Sequence, residues 1–185
     1  MSKGKTVNGV DVTRLEETID AVKQTPALGK FVFRARNRWV GGGRNRTSIT
    51  DFHGVEADHA HAQPFELDAD EPPQLLGEDK GPNPVEYLLT ALAGCVTSSI
   101  VYHAAAKGIP LRSVESRLEG DIDLQGFLGL SPNVPKGYRE IRMFFKIDAD
   151  APKEKLEEIL KLGPTFSPVY DTITRAVPVK VELEK

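Results

Sequence analysis

Cys95 is the only cysteine in the chain, and a thiol that reacts with an electrophile or a peroxide does so as its thiolate. Leu88, Ala91 and Leu92 stand one or two helical turns before it, and Ser99, Tyr102 and His103 one or two turns after it, on roughly one face. A cysteine in mid-helix gains nothing from the helix N-terminus. A thiolate there needs a cation from elsewhere in the chain, and a guanidinium suits that role. The same residue also reads as an inert thiol packed in a core, because free cysteine is among the most buried residue types. His103 is either an accessory of the same pocket or a satisfied part of that core. His59 and His61 alternate onto one strand face with His53 and Asp58 nearby. Two histidines are too few for a closed metal site and read as a surface pair. Arg34, Arg36 and Arg38 alternate as well, a stripe that could bind an anion but is better accounted for as a solvated sheet face paired with acidic neighbours.

The element that must position Cys95 begins after Gly81 and Pro82, where Asn83 is a good N-cap, Pro84 suits the first helical position and Glu86 the third. Lys107 and Gly108, followed by Pro110, stop it. No charge occurs between Tyr87 and Ala106, and Leu88, Leu89, Leu92, Val96, Ile100 and Val101 cover more than one side of the helical wheel. Such a helix must be buried. Its length suits a membrane span, but its Ala, Gly, Thr and Ser content and the mixed chain around it favour a core helix wrapped by sheet, with no membrane partner.

Around that helix the chain reads in order. Residues 1–10 form a loose tail, and Val12, Leu15, Ile19 and Val22 mark an amphipathic helix over 11–24. Residues 31–40 alternate as a strand, with Phe33, Ala35 and Trp39 on one face and the three arginines on the other. Gly41–Gly43 turn the chain into a second strand, 44–52, that starts with Arg44 and Arg46. A third strand covers 59–67. After the central helix come strands at 114–124, with Val114, Leu118, Ile122 and Leu124 inward, and at 138–147. The intervening loop carries an apolar cluster, Phe127, Leu128 and Leu130. A helix opens at Pro152 and ends at Gly163 and Pro164, a short helix is capped by Ser167, and a last strand spans 177–183 with Pro178 favouring an edge. This order is α+β. One sheet covers one side of the apolar helix, so the other side must meet a second helix or another subunit, and an obligate homodimer is the expectation.

The chain of 185 residues suits one main domain, 31–185, preceded by the tail and short helix of 1–30. A net charge of −3 argues against nucleic acid. One cysteine rules out an intrachain disulfide, and the polar N-terminal residues show no signal-peptide pattern, which places the protein in the cytoplasm.

The run GPNPVEYLLTALAGC, the GGGR turn and the late SPVYDTITRAVPV together resemble the OsmC/Ohr superfamily. The resemblance implies an intertwined homodimer with antiparallel sheets wrapped around buried central helices. It also implies an activity, the reduction of organic hydroperoxides by a helical cysteine assisted by an arginine and a glutamate. Cys95 matches the reacting cysteine and Arg44 the arginine, with Arg46 close behind. The glutamate after Asn-Pro falls on Val85, leaving Glu86 one residue displaced. The resolving cysteine falls on Ser167, so the two-cysteine cycle cannot close. The reading that results is a thiol protein that reduces a small apolar hydroperoxide by a one-cysteine mechanism. It needs no bound cofactor, only an external thiol or dithiol reductant. The alternative is a non-catalytic protein that binds a small apolar molecule.

Overall fold

The computed structural model describes residues 4–184. Thr6–Val7 (β1) and Val10–Asp11 (β2) form a hairpin, where a loose tail was expected for residues 1–10. Residues 1–3 lie outside the described residues. The turn is Asn8-Gly9, both at positive φ (54° and 77°), the geometry that Asn-Gly favours between twisted strands. Asp11 then caps Val12–Gln24 (α1), its carboxylate accepting the Arg14 N–H. A 3-10 turn at Pro26–Gly29 follows.

The expected 31–40 strand is two pieces, Val32–Phe33 (β3) and Arg36–Gly41 (β4), both antiparallel to Arg44–Gly54 (β5). Phe33 faces Phe52 while Arg36 faces Ser48, so three steps on one side match four on the other. A one-residue slip reverses which face a side chain occupies. Phe33 therefore shares a face with Arg36 and Arg38, and Arg34 lies on the opposite face, contrary to the single arginine stripe expected. Phe33 and Trp39 are exposed, at 77% and 74%. On the far side of β5 runs Ala57–Ala69 (β6), interrupted where residues 61–64 stand opposite Thr50 alone. Pro64 is accommodated in that bulge.

A 3-10 turn at Pro73–Leu75 leads to Pro84–Ala106 (α2). The start is the one expected: Glu86 N–H donates to Asn83 Oδ1, and Asn83 N–H donates to Glu86 Oε2. Leu111–Asp121 (β7) and Glu140–Ala149 (β8) pair antiparallel. β7 ends three residues before the expected end at Leu124, because Asp123 caps the short helix Leu124–Phe127 (α3). Ile122 and Leu124 are consequently part-exposed rather than inward.

Lys153–Phe166 (α4) runs through Gly163 and Pro164, where a stop was expected. A Cβ on Gly163 would sit 2.8 Å from Ile100 and 2.9 Å from Val96, so this helix approaches α2 closely there. Pro164 lies in the last turn, where the lost N–H removes a single helical bond. Ser167 caps Pro168–Thr174 (α5) as expected, accepting the Tyr170 N–H at 3.1 Å. Residues 176–184 join no helix or strand, so the expected last strand has no partner among the described residues.

The chain divides into two compact units, Met1–Lys5 with Asp11–Leu88, and Thr6–Val10 with Leu89–Lys185. In the second, the helix unit, Leu92, Val96, Ile100 and Ala104 of α2 and Ile159 of α4 form the core, covered by Val114, Leu118, Ile141, Met143 and Phe145. Asn8 is tied into this unit, donating to Ile109 O and accepting from Leu111 N–H. The first, the sheet unit, carries β3–β6 and leaves Phe31, Phe33, Trp39 and Phe65 exposed. Phe31, Phe33 and Phe52 lie with ring centroids 5.8–6.3 Å apart.

Candidate functional site

Cys95 lies at the middle of α2, half-buried, and Ser99 Oγ donates to its carbonyl at 3.0 Å. Val96, immediately after it, belongs to the core. The thiol is thus held on a rigid element at the border of the buried face. His103 lies eight residues on, about 12 Å along the axis and about 80° round it. Its ring stacks on Phe166 at 4.1 Å. Burial, and secondarily the charge of Lys107, holds its pKa below the ordinary histidine value. Ser167 is 1% exposed, and its hydroxyl is committed to capping α5. Glu86 and Cys95 are nine residues apart on one helix, which sets them about 180° apart. Glu86 serves the capping box at the helix start.

In the sheet unit, Arg44 and Arg46 meet on one carboxylate. Arg46 grips Asp68 with two bonds, Nε at 2.6 Å and a terminal nitrogen at 2.7 Å, while Arg44 reaches the same group with one contact at 3.3 Å. This clamp, chiefly the Arg46 bonds, holds the Asp68 carboxyl down at about 2. The Nε of Arg44 is buried with no hydrogen-bond partner. Arg44 keeps donor capacity that Arg46 has spent.

Arg44 also lines a pocket of about 290 Å³ with the Gly41–Gly43 turn, Asp70, Leu76 and Glu78. Asp70 is 2% exposed and accepts three backbone N–H groups, from Glu71, Glu78 and Lys80, which lowers its pKa. That carboxylate organises the loop leading to α2. Tyr87 adds a bond from its hydroxyl to the Asp68 carbonyl at 2.7 Å.

Asp68 and Asp70 were not singled out from the sequence. Their signal was present: Arg44 and Arg46 are spaced by two, as are Asp68 and Asp70, and the register sets Arg46 opposite Asp68. The histidine pair is otherwise engaged. His59 Nε2 donates to Gly54 O, and His61 packs on Phe52 and Phe65. Among the described residues no group of three or more potential metal-ligating side chains converges.

The α+β fold with antiparallel sheets is one that solved structures share. One is an OsmC-like protein from Mycoplasma pneumoniae, at TM-score 0.59 and 17% identity over 78% of this chain and 88% of that one. A second, from Psychrobacter arcticus, is described as a putative osmotic stress induced and detoxification response protein, at TM-score 0.56 and 14% identity over 75% and 85%. A third is an organic hydroperoxide resistance protein OsmC from Legionella pneumophila, at TM-score 0.54 and 19% identity over 78% and 90%. Comparison with curated proteins returns no match. The OsmC-like protein family matches residues 77–182, more than half of the chain, and the chain belongs to that family.

Proposed function

We propose that this OsmC-like protein reduces organic hydroperoxides with Cys95 as nucleophile, acting as a homodimer in a reducing compartment such as the cytoplasm. The observation that carries the reading is the placement of the sole thiol, half-buried at the middle of α2 inside the family-matched segment. The Legionella relative's description as an organic hydroperoxide resistance protein supplies the substrate class. The Cys95 thiolate attacks the outer oxygen of a small apolar hydroperoxide, breaks the O–O bond and leaves the alcohol and a sulfenic acid. Ser167 cannot resolve that species. An external thiol then forms a mixed disulfide with loss of water, and a second thiol releases Cys95 as the thiol and leaves the external disulfide. Arg44 assists through its unspent guanidinium donors, and no bound cofactor takes part.

The homodimer is supported by α2 itself. Only 28% of its most apolar eighteen-residue window is buried within one chain, although its composition would suit a membrane span. Its Leu92–Ile100 face is the centre of the helix-unit core, so the rest of it calls for a protein surface.

The second reading, a non-catalytic protein that binds a small apolar molecule, draws on the full commitment of Ser167 to a helix cap. Consumption of cumene hydroperoxide in the presence of a dithiol separates the two. Turnover by wild type and none by Cys95→Ser is expected. Equal, background-level consumption by both would leave only the binding protein.

A further inference from the structure

The connection between β7 and β8, residues 122–139, turns its large apolar side chains toward solvent. Within α3 and its cap, Leu124, Phe127 and Leu128 stand three and four residues apart and share one face of the turn, with Gly126 on the opposite face. The buried side is the Gly126 side. A Cβ there would overlap the Pro135 carbonyl, so the returning chain packs directly on the backbone. On the open side Phe127 is 67% exposed and Leu128 59%, and beyond Gly129, at φ 69°, Leu130 is 70% exposed. The backbone is tied in this form. Leu130 N–H and Ser131 N–H both donate to Gln125 O, and Arg139 N–H closes the base on Asp121 O. The Tyr138 ring lies against Gly120, where a Cβ would overlap it.

Charge singles out what this face meets. From Leu124 to Arg139 the only formal charges are Lys136 and Arg139. Neither makes an ion pair among the described residues, and the acids at the base of the loop are spent: Asp123 caps α3 by accepting the Gln125 N–H, while Asp121 and Glu140 both pair with Arg142. We infer that this loop docks on an anionic lipid surface, with Phe127, Leu128 and Leu130 entering the boundary of headgroups and acyl chains and Lys136 and Arg139 held among the headgroups. Apolar side chains beside a basic rim are the pattern of a segment that lies in a membrane surface rather than crossing it. Against the expectation of no membrane partner, this is a peripheral contact that needs no span. Exposed apolar area alone would suit another protein equally, and the all-basic rim selects the anionic surface. Each basic residue near such a surface strengthens binding about fivefold. The chain as a whole carries a net charge of −3, so the apolar and the basic parts of the loop are both needed. Cys95 takes no part in the contact, and the inference goes beyond its peroxide chemistry.

The test is flotation with vesicles of phosphatidylcholine alone and with about one-third phosphatidylglycerol added. Wild type is expected to float with the anionic vesicles and stay behind with the neutral ones, and Cys95→Ser to match it. Phe127→Ser with Leu128→Ser should weaken binding at least about tenfold, by loss of the apolar area that enters the lipid. Lys136→Gln with Arg139→Gln should weaken it about twenty-five-fold, the product of the two charge factors. Thermal unfolding of each variant checks its fold. For a serine variant that does not fold, Leu130→Trp in a Trp39→Phe background carries the test, since Trp39 is the only tryptophan. Its emission should move to shorter wavelength with the anionic vesicles. Wild type that does not float, folded variants that float as wild type does, or an unshifted emission overturns the inference. Equal flotation with both kinds of vesicle overturns the anionic surface. Loop variants that leave flotation unchanged and lower self-association in sedimentation assign the face to a second copy of the chain instead.

Discussion

The helix unit and the sheet unit solve the same problem in opposite ways. In the helix unit Ile100 and Ile159 are fully buried, β7 and β8 pair without interruption from Ser113 to Asp121, and their inner side chains close over α2. In the sheet unit the exposed rings of Phe31 and Phe33 group with the half-buried ring of Phe52, and the strands are laced by ion pairs such as Arg46 with Asp68 and Arg34 with Asp51 and Asp58. Surface ion pairs contribute little each. Burial of apolar area is the larger stabilising term, and the sheet unit leaves much of its apolar area unburied. One unit is packed on itself, and the other leaves Phe31, Phe33, Trp39 and Phe65 exposed.

The contrast breaks first at Ile100. Ile100→Ala should cost about 4 kcal/mol in urea unfolding, the range for a fully buried aliphatic residue among rigid neighbours. A loss under about 1 kcal/mol would mean that the helix-unit core is not the stabilising centre. At Phe33 the opposite is expected. Phe33→Ser should leave the fold of a single chain within about 0.5 kcal/mol of wild type. It should also weaken self-association by roughly thirtyfold, as loss of a buried aromatic anchor at an interface does. Sedimentation across a dilution series reads that shift, and an unaltered dissociation constant would place the aromatic face outside the interface.

Acid should act on the sheet unit through Asp68. Its carboxyl is held at about 2, below the usual carboxylate value, by the Arg46 bonds first and by Arg44 second. A depressed folded value contributes stability that is present above the unfolded value of about 3.9 and is lost as pH falls from there toward about 2. Asp68→Asn should flatten the slope of stability against pH in that window. An unchanged slope would assign acid sensitivity to other groups. The smallest effect is expected at the β5–β6 turn, where Val55 and Glu56 take φ of 50° and 59°, close to the values that Asn8 and Gly9 hold in the first hairpin. Left-handed backbone is costly for a β-branched residue. Val55→Asn should stabilise by about 1 kcal/mol, measured by thermal unfolding. Destabilisation would show that the valine makes a contact worth more than the strain.

Signals local to one segment were readable from the sequence. The start of α2 was visible in Asn83, Pro84 and Glu86, and the cap of α5 in Ser167 followed by Pro168. The Asn8-Gly9 turn is an equally local signal, inside the residues 1–10 expected as a loose tail. What the sequence could not show was register. Alternation along 31–40 suggests one face for three arginines, and the slip between Phe33 and Arg36 that separates Arg34 from the others is decided by β5. Likewise Gly163 and Pro164 look like a stop, whereas the close approach of α4 to Val96 and Ile100 keeps the helix going. Of the candidate site, Cys95 and the two arginines could be found as residue types. The sharing of Asp68 between Arg44 and Arg46 needed the pairing of β5 with β6.

Asp70 also has a consequence in time. The amides of Glu71, Glu78 and Lys80 all donate to its one carboxylate, although ten residues separate Asp70 from the last of them. Protection of these three amides from solvent hydrogen is therefore expected to fall together in Asp70→Asn, a loss that amide exchange would read as one linked set between strand and helix.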